Sequence, residues 1–203
     1  MHFDLTQLII TVGVVGLFAI VFSETGLFFG FFLPGDSLLV TAGLLASQGY
    51  FNVWLLIPLL CFAAILGDTV GYWFGYKVGP AIFKRKGSLL FKKEHLDHAH
   101  TFYEKHGGKT IVIARFIPII RTFAPIVAGA AKMKYRVFLT FNIFGGVLWI
   151  TSMILLGYFL GNVIPDVDKY LIPIIATIVF ISLLPAMFEF YKSRRDKLNK
   201  SIK

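Results

Sequence analysis

The sequence predicts an all-α integral membrane protein: four spanning helices plus two re-entrant hairpins in an inverted repeat. Three observations carry that expectation. Of the 203 residues, 57% are hydrophobic and 15% charged, with a mean hydropathy of +0.75; a soluble domain is nearer about a quarter charged. Several apolar runs approach or exceed the roughly 18–20 residues that span a bilayer. The basic residues flank those runs. No Lys or Arg precedes Lys77, eight of the twenty lie in 77–109, three in 132–136 and six after Tyr191.

The net charge of +9 would suit nucleic acid if it formed one surface. Placed beside apolar runs, it sets membrane orientation instead, so no nucleic-acid partner is expected. The lone Cys61 cannot form an intrachain disulfide and says nothing about redox compartment. Residues 5–23 imitate a signal peptide. They lack a basic n-region, and no small-residue cleavage site follows before Glu24, so the segment reads as retained.

The apolar segments, in order, are 5–23, 25–47, 53–76, 110–131, 137–161 and 168–190. The first is nineteen residues long, or about 28 Å as a helix, just enough for the bilayer core. Segment 25–47 contains Gly30, Pro34, Gly35, Asp36 and Gly43, and segment 110–131 contains Arg115, Pro118, Arg121, Pro125 and Gly129. Broken, charged backbone at membrane depth is tolerated only where protein or a watery cavity surrounds it. Both segments therefore read as re-entrant, leaving 5–23, 53–76, 137–161 and 168–190 to cross. Charge placement agrees. If 110–131 crossed, the basic turn Lys132-Met133-Lys134-Tyr135-Arg136 would lie outside. If it returns, that turn, the basic loop and the tail at 191–203 all face the cytoplasm, as do both termini.

Residues 80–109 read as a cytoplasmic amphipathic loop. Its His95, His98, His100 and His106 fit no compact zinc spacing and have no nearby cysteine, so a solvated basic face is expected and not a metal site. The whole of 1–203 reads as one membrane domain with a first repeat at 5–79 and a second at 110–161. Phe32-Leu33-Pro34 precedes Ala42-Gly43 as Phe116-Ile117-Pro118 precedes Ala128-Gly129. Gly75-Tyr76-Lys77-Val78-Gly79 likewise matches Gly157-Tyr158-Phe159-Leu160-Gly161. Under the charge-derived topology the first hairpin dips from outside and the second from inside. Inverted repeats with broken segments are a transporter design, with the site where they meet.

Ionisable residues inside the membrane are functional candidates: Glu24, Asp36, Asp68, Arg115 and Arg121. The two arginines are six apart, on different sides of a continuous helix, but Pro118 breaks the helix so that both can turn into one pocket. Two guanidinium forks there would bind a phosphate or carboxylate bidentately. The alternative is structural: each arginine neutralised by Glu24 or Asp36, tying the hairpins together. Asp36 can also be a simple helix N-cap, and Glu24 an interfacial anchor. A carboxylate in a low-dielectric cavity can bind and release a proton near neutral pH. Two such groups beside two arginines suit proton-coupled movement of an anion. Asp68, Ser37 and Thr122 would take supporting roles.

At these residues the sequence resembles the bacterial DedA family, whose membrane domain is shared with VTT-type lipid scramblases. The matching stretches are Phe32-Leu33-Pro34-Gly35-Asp36-Ser37-Leu38-Leu39, Gly67-Asp68 with Gly71-Tyr72-Trp73, and His106-Gly107-Gly108-Lys109 followed by Ala114-Arg115-Phe116-Ile117-Pro118, Arg121-Thr122-Phe123-Ala124-Pro125 and Ala128-Gly129. The resemblance covers residues 20–160. One departure is Ile119, where the family often has Gly; both arginines remain. The resemblance implies a re-entrant-hairpin transporter in the bacterial cytoplasmic membrane. It implies proton-motive-force-dependent flipping of lipid-linked phosphate, most concretely undecaprenyl phosphate returned from the outer to the inner leaflet. It also implies that Glu24 and Asp36 match the family's essential acids, and Arg115 and Arg121 its essential arginines.

Other classes remain in view. General phospholipid scrambling and proton/cation antiport are transport alternatives, and a structural membrane protein is a third. Paired arginines favour an anionic head group. An enzyme is not expected, because no Ser/Lys or His/Asp pair lies close to the arginines in sequence. The expected partners are a polyprenyl phosphate or phospholipid and the surrounding lipids, with a homodimer open and no cofactor.

Overall fold

A computed structural model of the chain describes residues 5–26, 35–82 and 107–163. Among these residues all regular structure is helical: α1 Leu5–Gly26, α2 Gly35–Ser47, α3 Val53–Ile82, α4 Lys109–Ala114, α5 Pro118–Ala130 and α6 Tyr135–Val163. Two helices are long and apolar enough to cross a membrane, α3 over the 27 residues Val53–Gly79 and α6 over its 29 residues. At 1.5 Å per residue each exceeds the roughly 30 Å hydrocarbon core. The expected span at 5–23 is helical and continues to Gly26. Residues 27–34 of the first hairpin, most of the loop at 80–109 with its four histidines, the last span at 168–190 and the tail at 191–203 lie outside the described residues.

Segment 110–131 is interrupted, as its prolines require. α4 ends in a tightened turn: the amides of Arg115, Phe116 and Ile117 donate to the carbonyls three residues back, at 3.3, 3.1 and 3.1 Å. Ile117 is then extended (φ −115°, ψ 107°), and Pro118 begins α5. The proline ring excludes helical geometry at the preceding residue yet suits the first helical position. The break therefore falls between the two arginines.

The helices form two contact units. The first holds α1, α3, α4, α5 and α6 up to Ser152; the second holds α2 and α6 from Met153. In the first, α3 packs chiefly against α5 and α1. A Cβ on Gly75 would collide with the Ile126 carbonyl, and one on Gly129 with the Tyr72 carbonyl. In the second unit, a Cβ on Gly157 would collide with the Val40 carbonyl, and one on Gly43 with the Ile154 carbonyl. The contacts correspond residue for residue: Gly129 with Gly43, Ile126 with Val40, Gly75 with Gly157. Each Gly-Tyr-x-x-Gly helix thus lies against the half-helix of the other sequence repeat, where only glycine lets the backbones approach.

The turn from α5 to α6 is closed by a Schellman motif. Lys132 adopts φ 56°, its amide donates to Gly129 (2.9 Å), and the Met133 amide donates to Ala128 (3.0 Å). The Tyr72 hydroxyl, from α3, donates to the Met133 carbonyl. The Tyr72 ring stacks on Phe138 at 4.6 Å and meets Tyr135 at 5.4 Å. This aromatic group fixes the basic turn against α3.

Candidate functional site: two buried arginine–carboxylate pairs

The site begins with the crossing of α1 and α3. A Cβ on Gly26 would lie 2.9 Å from the Gly67 carbonyl oxygen, and one on Gly67 would lie 2.6 Å from the Phe22 carbonyl oxygen. Glycine at both positions lets the helices touch through their backbones. Glu24 stands two residues before Gly26 and Asp68 directly follows Gly67, and both carboxylates are buried in the first unit. Thr25 donates its hydroxyl to the Val21 carbonyl at 3.0 Å, keeping that polar side chain within its own helix.

Each carboxylate meets an arginine from the broken segment. Arg115, at the C-terminus of α4, donates through Nη2 to Asp68 Oδ2 and to Asn142 Oδ1. Arg121, in the first turn of α5, donates through Nη2 to Glu24 Oε1. The four are nearly inaccessible, with exposures of 1% for Glu24, 3% for Asp68, 3% for Arg115 and 6% for Arg121. Both guanidinium groups face the indole of Trp149 on α6, with Cζ to ring-centroid distances of 4.5 Å for Arg121 and 6.0 Å for Arg115. Trp149 is fully buried, so its negative π-face offsets part of the repulsion between two neighbouring cations.

α6 supplies the rest of the shell. Asn142 is fully buried and is oriented by donating Nδ2–H to the Ile65 carbonyl at 3.2 Å, which leaves its oxygen for Arg115. Gly145 and Gly146 make room: a Cβ on Gly145 would lie 3.0 Å from Arg115 Cδ, and one on Gly146 3.4 Å from Nη2. The Nε of Arg115 is buried without a hydrogen-bond partner among the described residues. An unmet buried donor costs about 1–3 kcal/mol, and an arriving oxyanion would satisfy it. Chemically, the arrangement is a buried cluster of two cations and two anions whose guanidinium forks can exchange one oxyanion for another.

The structure brings together four of the residues singled out in the sequence: Glu24, Asp68, Arg115 and Arg121. Thr122 is buried beside Arg121. Asp36 and Ser37 belong to the second unit, where they sit in the first turn of α2, Ser37 buried and Asp36 partly exposed. The described part of α2 starts at Gly35, which places Asp36 in its first turn. A carboxylate there still favours the helix N-terminus electrostatically. The structural alternative gave the arginines Glu24 or Asp36 as partners. Arg121 has Glu24, but the partner of Arg115 is Asp68, which is a direct ion-pair member. Asn142, Trp149 and the Gly145-Gly146 pair escaped the sequence reading. The one signal in the sequence is Asn142 itself, an uncharged amide within the apolar run at 137–161.

Residues 33–159 match the VTT domain family model. The chain is 47% identical to an uncharacterized membrane protein of Mycobacterium leprae, over 88% of this chain and 79% of that one. It is 47% identical to Protein DedA of Escherichia coli K12, over 88% of this chain and 82% of the relative. It is 38% identical to Inner membrane protein YqjA of the same strain, over 72% of this chain and 66% of the relative. No solved structure matches the chain significantly.

Proposed function

We propose that this chain, which belongs to the DedA family of VTT-domain membrane proteins, is a proton-motive-force-dependent flippase of lipid-linked phosphate. Its substrate in this reading is undecaprenyl phosphate, returned from the outer to the inner leaflet of the bacterial cytoplasmic membrane. The observation that supports the reading is the pair of buried arginines facing one indole, each held by a carboxylate. Guanidinium is the side chain of choice for bidentate phosphate recognition. In the absence of substrate the carboxylates neutralise the arginines, which avoids the heavy penalty of an unpaired buried charge. The phosphate displaces them, and the polyprenyl tail stays in lipid.

A proton/cation antiporter would present carboxylates to its cargo, whereas here both buried carboxylates are engaged by guanidinium. The site is read as one that binds and releases without covalent chemistry. In the proposed topology both termini and the Lys132–Arg136 turn face the cytoplasm, and the segment at 110–131 re-enters from that side.

The head group is the testable element. Purified protein in detergent is titrated with undecaprenyl phosphate and with undecaprenol, which has the same tail and no phosphate, while thermal unfolding is followed. The phosphate should raise the unfolding midpoint of wild type and have little effect on Arg121→Lys. Equal stabilisation by undecaprenol would show that the tail alone is recognised.

A further inference from the structure

We infer that Asp68 is a proton-exchanging residue of the anion site, taking up a proton as a phosphate group arrives at Arg115. This rests on the reading above that the site accepts a phosphate head group. It assigns to Asp68 a role in coupling and not merely in support.

The argument is one of charge. Among the described residues the buried charged side chains are Glu24, Asp68, Arg115 and Arg121, two cations and two anions. The cluster is neutral as it stands. A phosphate group carries a charge of about −1.5 to −2 near neutral pH. Added to a buried cluster of balanced charge, that charge would be uncompensated, which is heavily penalised even after relaxation. Proton uptake by the displaced carboxylates restores the balance, about one proton for a monoanion and two for a dianion. Glu24 can accept one. Among the described residues of the unit, the other buried carboxylate is Asp68.

The geometry around Arg115 is arranged for such an exchange. Nε and Nη2 form the side-on fork of the guanidinium. Among the described residues Nε is buried without a hydrogen-bond partner, and Nη2 is shared between Asp68 and Asn142. When Asp68 gains a proton its claim on Nη2 weakens, and both atoms of the fork can donate to two phosphate oxygens. Asn142 keeps the guanidinium in place meanwhile, because its amide is tied to the Ile65 carbonyl and carries no charge to lose. The charged groups acting on Asp68 are Arg115 from α4 and Arg121 from α5, the latter paired with Glu24 from α1; Cys61 lies buried two turns earlier on the same helix. No bond in the lipid breaks. A proton passes from water to a carboxylate oxygen, and the phosphate oxygens accept the freed N–H donors.

Calorimetry of the full-length protein in detergent provides the test, with geranyl phosphate as probe in two buffers of different ionisation enthalpy. The difference in apparent heat gives protons taken up per phosphate bound. Wild type should take up protons, and Asp68→Asn should take up about one fewer per phosphate. An unaltered proton count in Asp68→Asn overturns the inference and leaves the phosphate site standing. Absence of binding by wild type overturns both. A measurement on wild-type protein labelled with 13C-carboxyl aspartate needs no stable Asp68 variant. Geranyl phosphate should induce an infrared band of a protonated aspartic acid, and the band should persist in Asp36→Asn. No band, or a band lost in Asp36→Asn, overturns the role of Asp68.

Discussion

Replacing Gly67 with alanine probes the crossing on which the site is built. The added methyl would lie 2.6 Å from the Phe22 carbonyl oxygen and would collide with the Thr25 hydroxyl. Carbon–oxygen contacts of this kind settle at about 3.3–3.6 Å, so α1 and α3 must part by roughly 0.7–1 Å, the difference between that contact and the present spacing. Overpacking of this sort costs about 1–3 kcal/mol. Alanine is the better helix former, returning about 0.5–1 kcal/mol. The net expectation is a loss between about 0 and 2.5 kcal/mol, in the upper part of that range because the obstacle is largely backbone. Function should suffer more than stability. Glu24 rides on α1 and Asp68 on α3, so parting the helices strains both ion pairs at once. Unfolding of the variant in detergent should occur at lower denaturant concentration, and uptake should fall at least about tenfold, the factor that 1.4 kcal/mol represents. Combining Gly67→Ala with Thr25→Ala removes the hydroxyl collision and leaves the carbonyl one, so it should restore only part of the loss. A Gly67→Ala protein as stable and active as wild type would refute the close crossing and the site geometry drawn from it.

The remaining expectations concern charge and orientation. Arg115→Lys and Arg121→Lys keep the positive charge and lose the planar fork; both should insert normally in membrane fractions yet transport poorly, and normal transport would exclude bidentate phosphate binding. Glu24→Gln should abolish gradient-driven uptake because an amide cannot cycle a proton. Asp36→Asn separates two roles: as a first-turn dipole partner it would cost about 0.3–1 kcal/mol and leave uptake intact, whereas as a proton carrier it would remove gradient dependence, the outcome expected here. In a Cys61→Ala background, Lys134→Cys should react with a membrane-impermeant maleimide only after the cells are opened, and labelling from outside would show that 110–131 crosses the membrane.

Much of this architecture is legible in the sequence because it is local. Ile117-Pro118 dictates where the segment breaks, whatever surrounds it, and two arginines astride that break announce a buried polar site. The Gly-Tyr-x-x-Gly copies announce close packing. What they do not reveal is which partner each copy packs against. Gly75 meets Ile126 and Gly157 meets Val40, an interlocking of the two repeats that depends on tertiary contacts and not on any pattern within either repeat. The pairing of Arg115 with Asp68 is of the same kind. Forty-seven positions separate them, and no pattern local to either residue announces the pair. Asn142 and Trp149 look like ordinary members of an apolar helix until the arginines are placed beside them.

The central claim is that this site moves a lipid phosphate at the expense of a proton gradient. Purified protein in liposomes carrying labelled undecaprenyl phosphate provides the most direct test, with leaflet accessibility of the phosphate followed under imposed pH gradients of either sign. The account predicts flipping of undecaprenyl phosphate whose net direction follows the proton gradient, collapses with an uncoupler, and is lost in Arg115→Lys and Arg121→Lys. Flipping at the same rate with no gradient and in both variants, or none by well-folded wild-type protein under any gradient, would contradict it.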